Sequence, residues 1–303
     1  MRIAVVGPGA LGCLLAATLQ EGGLEVVLLD HRPARAARLS AEGLTLRDRP
    51  GGPGRRVALA ASAEPGRVAG AELALLCVKA QRTRAVLAVV APALSPRASV
   101  WSLQNGLGNL EAVAAAVGEG RALGGSTAQA AHWDETGALV HAGAGPTRLG
   151  PLSGPPGPDH VALAARLGAA GLPVELCADA IREAWSKALV AASLLPLTAL
   201  HRVPNGEVAA RPSLRAEAEA LLAEGLEVAA SQGHAFEPAE ARARLWGVVA
   251  ATAGNRSSML QDVEAGRETE IEALCGALAR LGPAPRHAAL AARVRALHPG
   301  ALP

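Results

Sequence analysis

The sequence predicts an α/β domain on a doubly wound parallel sheet, followed by an all-α domain. Three observations carry this. Residues 3–7, Ile-Ala-Val-Val-Gly, feed directly into Gly7-Pro8-Gly9-Ala10-Leu11-Gly12, and Leu14, Leu15, Ala17 and Leu19 then follow in helical rhythm. Through the first half, short apolar runs alternate with Ala/Leu-rich helical stretches. Past Asp179 the pattern is almost wholly helical.

The first residues form a strand, and Glu25–Leu29 forms the second. Arg35–Glu42 suits a helix. Leu44–Leu46 and Val57–Leu59 flank a Pro/Gly-rich stretch at 48–54, which reads as a hairpin or loop insert. Glu72–Val78 is the nearly continuous apolar run of a strand buried on both faces. Ser99–Leu103 is another strand, ending at Gln104-Asn105-Gly106, and Gly124–Ala131 and Ala138–Gly143 are further strands. Residues 150–158 have the composition of a linker. The helix at 159–170 and the strand Pro173–Leu176 continue the βα alternation, so the domain boundary is placed at 178/179. Helices are expected at 180–202, 213–232, 237–253, 268–281 and 286–297, with the active site in a cleft between the two domains.

The Gly-rich turn gives the first domain its chemistry. Gly7 permits a tight turn, Gly9 lets backbone approach a pyrophosphate, and Gly12 lets the helix pack closely on the sheet. Residues 1–178 are therefore read as a Rossmann-type dinucleotide-binding domain and 179–303 as a helical substrate and catalytic domain. The cofactor-binding segment is Gly7, Pro8, Gly9, Ala10, Leu11 and Gly12.

Composition narrows the function classes. The net charge is +2, which argues for neither nucleic acid nor an acidic partner. There is no Tyr and one Phe, so aromatic platforms for single-stranded nucleic acid are nearly absent. Four cysteines, Cys13, Cys77, Cys177 and Cys275, are far apart and form no CxxC, the pattern of buried reduced thiols in a cytoplasmic protein. No metal site is expected. No apolar stretch is long enough to span a membrane; residues 181–200 come nearest but carry Arg182, Glu183 and Lys187. Apolar helices in the second half would serve a homodimer.

Asp30 ends the second strand about 20 residues past the Gly-rich turn, where a carboxylate binds the ribose hydroxyls of NAD. Arg32 and Arg35 follow, and a guanidinium there pairs with the 2′-phosphate of NADP. The two signals oppose each other, and Asp30 as a plain helix cap is the structural alternative. Lys79 and Asn105 both end strands on the sheet's carboxyl edge, where ligands bind. A lysine there meets an anion, and an asparagine orients a substrate oxygen or serves a turn. Lys187 lies in an apolar helix; in a cleft, desolvation would lower its pKa toward that of a useful acid, and on the surface it would snorkel. Ser257-Ser258 opens a helix or turn, either as a cap or as a carboxylate site. Glu270 falls near a helix start, where a surface acid is the default.

Taken together, the chain resembles the ketopantoate reductase (2-dehydropantoate 2-reductase) family over its whole length. The resemblance rests on Gly7–Gly12, Val78-Lys79-Ala80, Gln104-Asn105-Gly106, Trp185-x-Lys187, Pro196-Leu197-Thr198-Ala199-Leu200, Pro204-Asn205-Gly206-Glu207, Ser257-Ser258-Met259-Leu260-Gln261-Asp262 and Arg267-x-Thr269-Glu270. It implies an NADPH-dependent reduction of a 2-oxo acid in pantothenate biosynthesis, with NAD as the alternative cofactor. It implies Lys187 as general acid and Glu270 as the carboxylate of the active-site network, also near the cofactor. Asn105 and Ser258 are implied as substrate contacts, with Lys79 and Asn105 lining the cofactor and substrate cleft. The family usually carries Asn four and eight residues after the lysine; here those positions are Ala191 and Leu195. That departure implies either a less polar 2-oxo acid or ketone, or a weakly catalytic dinucleotide sensor.

Overall fold

Arg2–Val6 (β1) is the hub of an eight-stranded sheet in the computed structural model, which describes residues 1–297. Its neighbours are Glu25–Leu29 (β2) on one side and Leu73–Leu76 on the other, both parallel to it. Naming the remaining strands in chain order gives Leu44–Arg47 (β3), Gly54–Val57 (β4) and Ala60–Ser62 (β5). Leu73–Leu76 is then β6, followed by Ser99–Ser102 (β7), Ala122–Thr127 (β8), Ala130–Trp133 (β9), Leu139–Gly143 (β10), Thr147–Pro151 (β11) and Val174–Leu176 (β12). The large sheet runs β12-β11-β8-β7-β6-β1-β2-β5. It is parallel from β5 through β8, and β11 then pairs antiparallel with β8. Strand order reverses at β1, the kind of switch point at whose carboxyl edge ligands bind in open α/β sheets.

The doubly wound expectation therefore holds for this sheet. Side chains alternate along its strands. Ile3, Val5, Leu73, Leu75 and Trp101 bury one face with Leu14, Leu15 and Leu19 of the helix Ala10–Glu21 (α1). Ala4, Val6, Ala74, Leu76 and Val100 bury the other face, with Leu87, Val90 and Val113 from the helices that follow β6 and β7.

A second sheet, β4-β3-β10-β9, covers α1. The 48–54 insert is the turn of the antiparallel β3–β4 hairpin, and β10 adds to it in parallel. The expected strand Gly124–Ala131 is thus two strands: β8 belongs to the large sheet and β9 to the small one. The expected linker at 150–158 begins as strand, because Gly150 and Pro151 complete the ladder between β11 and β8.

Helices Pro33–Glu42 (α2), Thr83–Val90 (α3), Asn109–Val117 (α4) and Pro158–Ala169 (α5) complete the first compact unit, which comprises Met1–Gln104 and Asn109–Glu183. The second unit takes Asn105–Gly108 and, among the described residues, those from Ala184 onward. This differs from a division at 178/179 by one turn of helix and one four-residue loop.

The second unit is built from Ala180–His201 (α6, whose first turn lies in the first unit), Asn205–Ala210 (α7), Pro212–Ser231 (α8), Pro238–Ala251 (α9), Ser258–Glu264 (α10), Cys275–Leu281 (α11) and Pro285–Arg295 (α12). Pro196 sits inside α6 and has no N–H to give the Ala192 carbonyl; the Cys275 thiol, 3.5 Å away, donates to that carbonyl instead. The helix expected at 268–281 is interrupted. Residues 271–273 form a short 3₁₀ turn, and Leu274, at φ −103° and ψ −97°, leaves the helical path before α11 begins. All four cysteines are free thiols, but only Cys13 and Cys275 are buried; Cys77 and Cys177 are half-buried. Among the described residues, no helix is long and apolar enough to cross a membrane.

Candidate active site

The sequence-predicted residues of the first unit converge on the carboxyl ends of three adjacent strands. Gly7 follows β1 in the left-handed region, at φ +109°, and its N–H donates to the Leu29 carbonyl at 3.1 Å. A Cβ on Gly12 would overlap the Gly7 carbonyl oxygen, so glycine there sets how closely α1 approaches the turn. Gly9 differs: a Cβ there meets nothing nearer than the Cys77 carbonyl oxygen at 4.0 Å. Gly9 is also the N-cap of α1, where no side chain caps the helix and no acidic residue occupies the first turn. An open, uncapped helix start suits a phosphate, whose charge the first-turn N–H groups and the helix dipole favour. The turn therefore fits a dinucleotide pyrophosphate held by Gly7, Pro8, Gly9, Ala10, Leu11 and Gly12.

Asp30 follows β2 and is buried. The Arg32 N–H donates to its Oδ1 at 3.0 Å. Arg35 donates through Nη2 to Oδ1 at 2.8 Å and through Nε to Oδ2. Burial alone would raise the Asp30 pKa. The hydrogen bonds from Arg35 and Arg32 outweigh it and hold the carboxyl below its ordinary range. Asp30 does not cap α2, whose N-cap is Arg32 with no side-chain cap; it instead accepts the Arg32 N–H and the Arg35 fork just ahead of that helix. Arg32 is exposed beside it. Lys79 follows β6 and precedes a 3₁₀ turn at 80–82; it is half-buried. Nearby, the Thr83 hydroxyl donates to Asn109 Oδ1 at 2.8 Å and accepts from Gln104 Nε2 at 2.7 Å. No local sequence signal marks this network, which joins residues 21 and 26 positions apart.

In the second unit, Asn105 Nδ2 donates to Glu270 Oε2 at 3.1 Å, joining residues 165 positions apart. Lys187 is half-buried on α6, with Ala191 buried and Leu195 half-buried one and two turns along the same face. Ser193 does not replace a polar group on that face, because its buried hydroxyl donates back to the Leu189 carbonyl at 2.8 Å. Ser257 is the N-cap of α10 and accepts from the Leu260 N–H at 3.1 Å. Its hydroxyl also lies 2.6 Å from that of Thr198, which donates to the Leu195 carbonyl. Each hydroxyl has one proton, so Ser257 donates to Thr198 and the chain ends on α6. Capping thus falls to Ser257, which leaves Ser258, the first residue of α10, exposed. The Thr198–Ser257 link joins residues 59 apart, and neither carries a local signal of the other.

Arranged this way, the first unit presents an open, uncapped glycine turn, and the second an Asn–Glu pair, a lysine and an exposed serine hydroxyl. Such groups can orient a keto acid and supply a proton. Residues 3–154 match the family model described as ketopantoate reductase PanE/ApbA, and residues 179–298 match the model of its C-terminal part. The 2-dehydropantoate 2-reductase of Halobacterium salinarum is 36% identical over 282 residues, 92% of this chain and 91% of that protein. The one from Archaeoglobus fulgidus is 35% identical, over 93% and 90%. The crystal structure of a PanE/ApbA family ketopantoate reductase from Ralstonia eutropha superposes with a TM-score of 0.87, at 28% identity and 98% coverage of both chains.

Proposed function

The chain belongs to the ketopantoate reductase PanE/ApbA family, and on that premise we propose that it reduces ketopantoate to pantoate at the expense of NADPH. The observation that carries the reading is the Asn105–Glu270 pair, formed in the unit that also bears Lys187 and Ser258. A bound reduced nicotinamide would supply a hydride to the ketone carbon. Lys187 donates a proton to the oxygen on which negative charge then develops; a partly desolvated ammonium is a suitable acid for this. Asn105 offers amide donors to a substrate oxygen, and its bond to Glu270 fixes the amide's orientation. Glu270 accepts from substrate hydroxyl, and Ser258 donates toward the carboxylate.

The pyrophosphate is assigned to Gly7–Gly12. Arg35 is engaged with Asp30, so the exposed Arg32 is the guanidinium assigned to a 2′-phosphate. Lys79 provides a further positive charge at the same sheet edge. Parallel assays of ketopantoate reduction with NADPH and with NADH test the reading.

Ala191 and Leu195 favour a second reading, in which the preferred substrate is a less polar 2-oxo acid. An apolar face beside Lys187 has no hydrogen bond to offer a substrate hydroxyl. Ranking kcat/KM across 2-oxo acids with and without a hydroxyl separates the two.

A further inference from the structure

We propose that Gly106 and Ala273 are positioning residues that hold Asn105 against Glu270; the link to catalysis rests on the reading above. Three contacts tie the segment 105–108 to the turn at 270–273. The first is the Asn105–Glu270 hydrogen bond itself. The second is the Leu107 N–H, which donates to the Ala273 carbonyl at 2.8 Å. The third is steric: Gly106 lies at φ +88°, and a Cβ there would stand 2.6 Å from both the Ala273 Cβ and its carbonyl oxygen. The break at Leu274 is part of the device. Ala273 ends its 3₁₀ turn there, and its carbonyl takes a donor from Leu107.

Neither Gly106 nor Ala273 brings a functional group to a substrate. Both act through the amide of Asn105 and the carboxylate of Glu270. A backbone displaced by even ~1 Å at such a pair costs up to ~100-fold in rate.

The test uses the full chain and three variants: Gly106→Ala, Asn105→Ala and the double substitution. Two readouts are taken: kcat and KM for ketopantoate with NADPH, and the ¹³C resonance of the Glu270 carboxyl without ligands. Gly106→Ala is expected to lower kcat/KM by ~10- to 100-fold. The double variant should fall no more than ~2-fold below the worse single one, because both act on one interaction. The Glu270 resonance should move in Gly106→Ala as it does in Asn105→Ala. Ala273→Gly, which removes one methyl without creating a clash, should shift it in the same direction by less, and serves if Gly106→Ala does not fold. A Glu270 resonance unmoved in the folded variants, or losses that multiply in the double variant, overturns the proposal. A parent chain that turns over no ketopantoate, with the Glu270 resonance still moving, supports the clamp and counts against the substrate reading instead.

Discussion

Arg35 grips the carboxylate of Asp30 with two hydrogen bonds, through Nη2 on Oδ1 at 2.8 Å and Nε on Oδ2. The acid has no side-chain exposure, while the guanidinium keeps 30% of its own. Removing Arg35 leaves a buried carboxylate with the Arg32 N–H and, at 3.5 Å, the exposed His31 ring as its partners. Arg35→Ala should therefore cost about 1–3 kcal/mol, less than a fully buried pair because one partner reaches water. The Asp30 pKa is depressed in the folded chain, so its contribution to stability is present above the unfolded value near ~4 and is lost as pH falls through the folded value. Thermal melting from pH 7 down to 3 should show the deficit of Arg35→Ala shrinking as pH falls, because the loss of melting temperature that Asp30 contributes in the parent is flattened once its pKa is no longer depressed.

Because Arg35 is held by Asp30, the proposed 2′-phosphate contact is tested at Arg32. Arg32→Ala should weaken NADPH binding by ~10-fold and leave NADH binding within ~2-fold, the signature of a lost charge-assisted bond to a 2′-phosphate. Fluorescence titration with both nucleotides measures it. Equal loss for both would assign Arg32 to the surface.

The glycine turn yields a contrasting pair of variants. Gly12→Ala places a methyl on the Gly7 carbonyl oxygen and should unfold or severely destabilise the first unit. Gly9→Ala meets no protein atom closer than 4.0 Å. Its melting temperature without nucleotide should stay within ~2 °C of the parent, because surface substitutions away from packed features change stability little. Its nucleotide affinity should nevertheless fall at least ~10-fold, because the methyl enters the volume assigned to the pyrophosphate. Undiminished affinity in Gly9→Ala would place the phosphates elsewhere.

What was legible in the sequence was local. The turn at Gly7–Gly12, the end of β2 at Asp30, the β3–β4 hairpin and most of the helices could be read from spacing and turn chemistry. What escaped depends on partners distant in the chain. The small sheet assembles the hairpin at 44–57 with strands near 130 and 140, and period-two patterns do not say which strands pair. The helix expected at 268–281 breaks at Leu274, where the Ala273 carbonyl bonds to Leu107, a residue more than 160 positions earlier. Asn105 at a strand end and Glu270 near a helix start are each legible in the sequence, with roles implied by the resemblance, but the bond between them and the Thr198–Ser257 link are products of tertiary structure.

A buried pair in the helical unit should govern stability at mildly acidic pH. His287 is fully buried on α12, with Nδ1 2.9 Å from Glu224 Oε1 of α8. Glu224 also accepts the N–H groups of Arg286 and His287 at the start of α12. Burial lowers the His287 pKa, and the Glu224 carboxylate only partly offsets it. The unfolded chain therefore takes up a proton near pH ~6.5 while the folded chain does not, so this contribution is complete above that pH and declines as pH drops toward the folded value. His287→Gln should flatten the loss of melting temperature between pH 7 and 5.5, while lowering stability at pH 8 by about 1–3 kcal/mol through the lost buried bond and imperfect packing.

The proposed reaction is the reduction of a 2-oxo acid with Lys187 as the proton donor. The most direct measurement follows consumption of reduced nicotinamide with ketopantoate in the parent chain and in Lys187→Ala, with NADPH binding measured in both. Expected are turnover in the parent, a fall in kcat of ~10²- to 10⁴-fold in Lys187→Ala, and NADPH affinity within ~3-fold, because a general acid contributes on that scale to the chemical step. Turnover that survives the loss of Lys187 would contradict it.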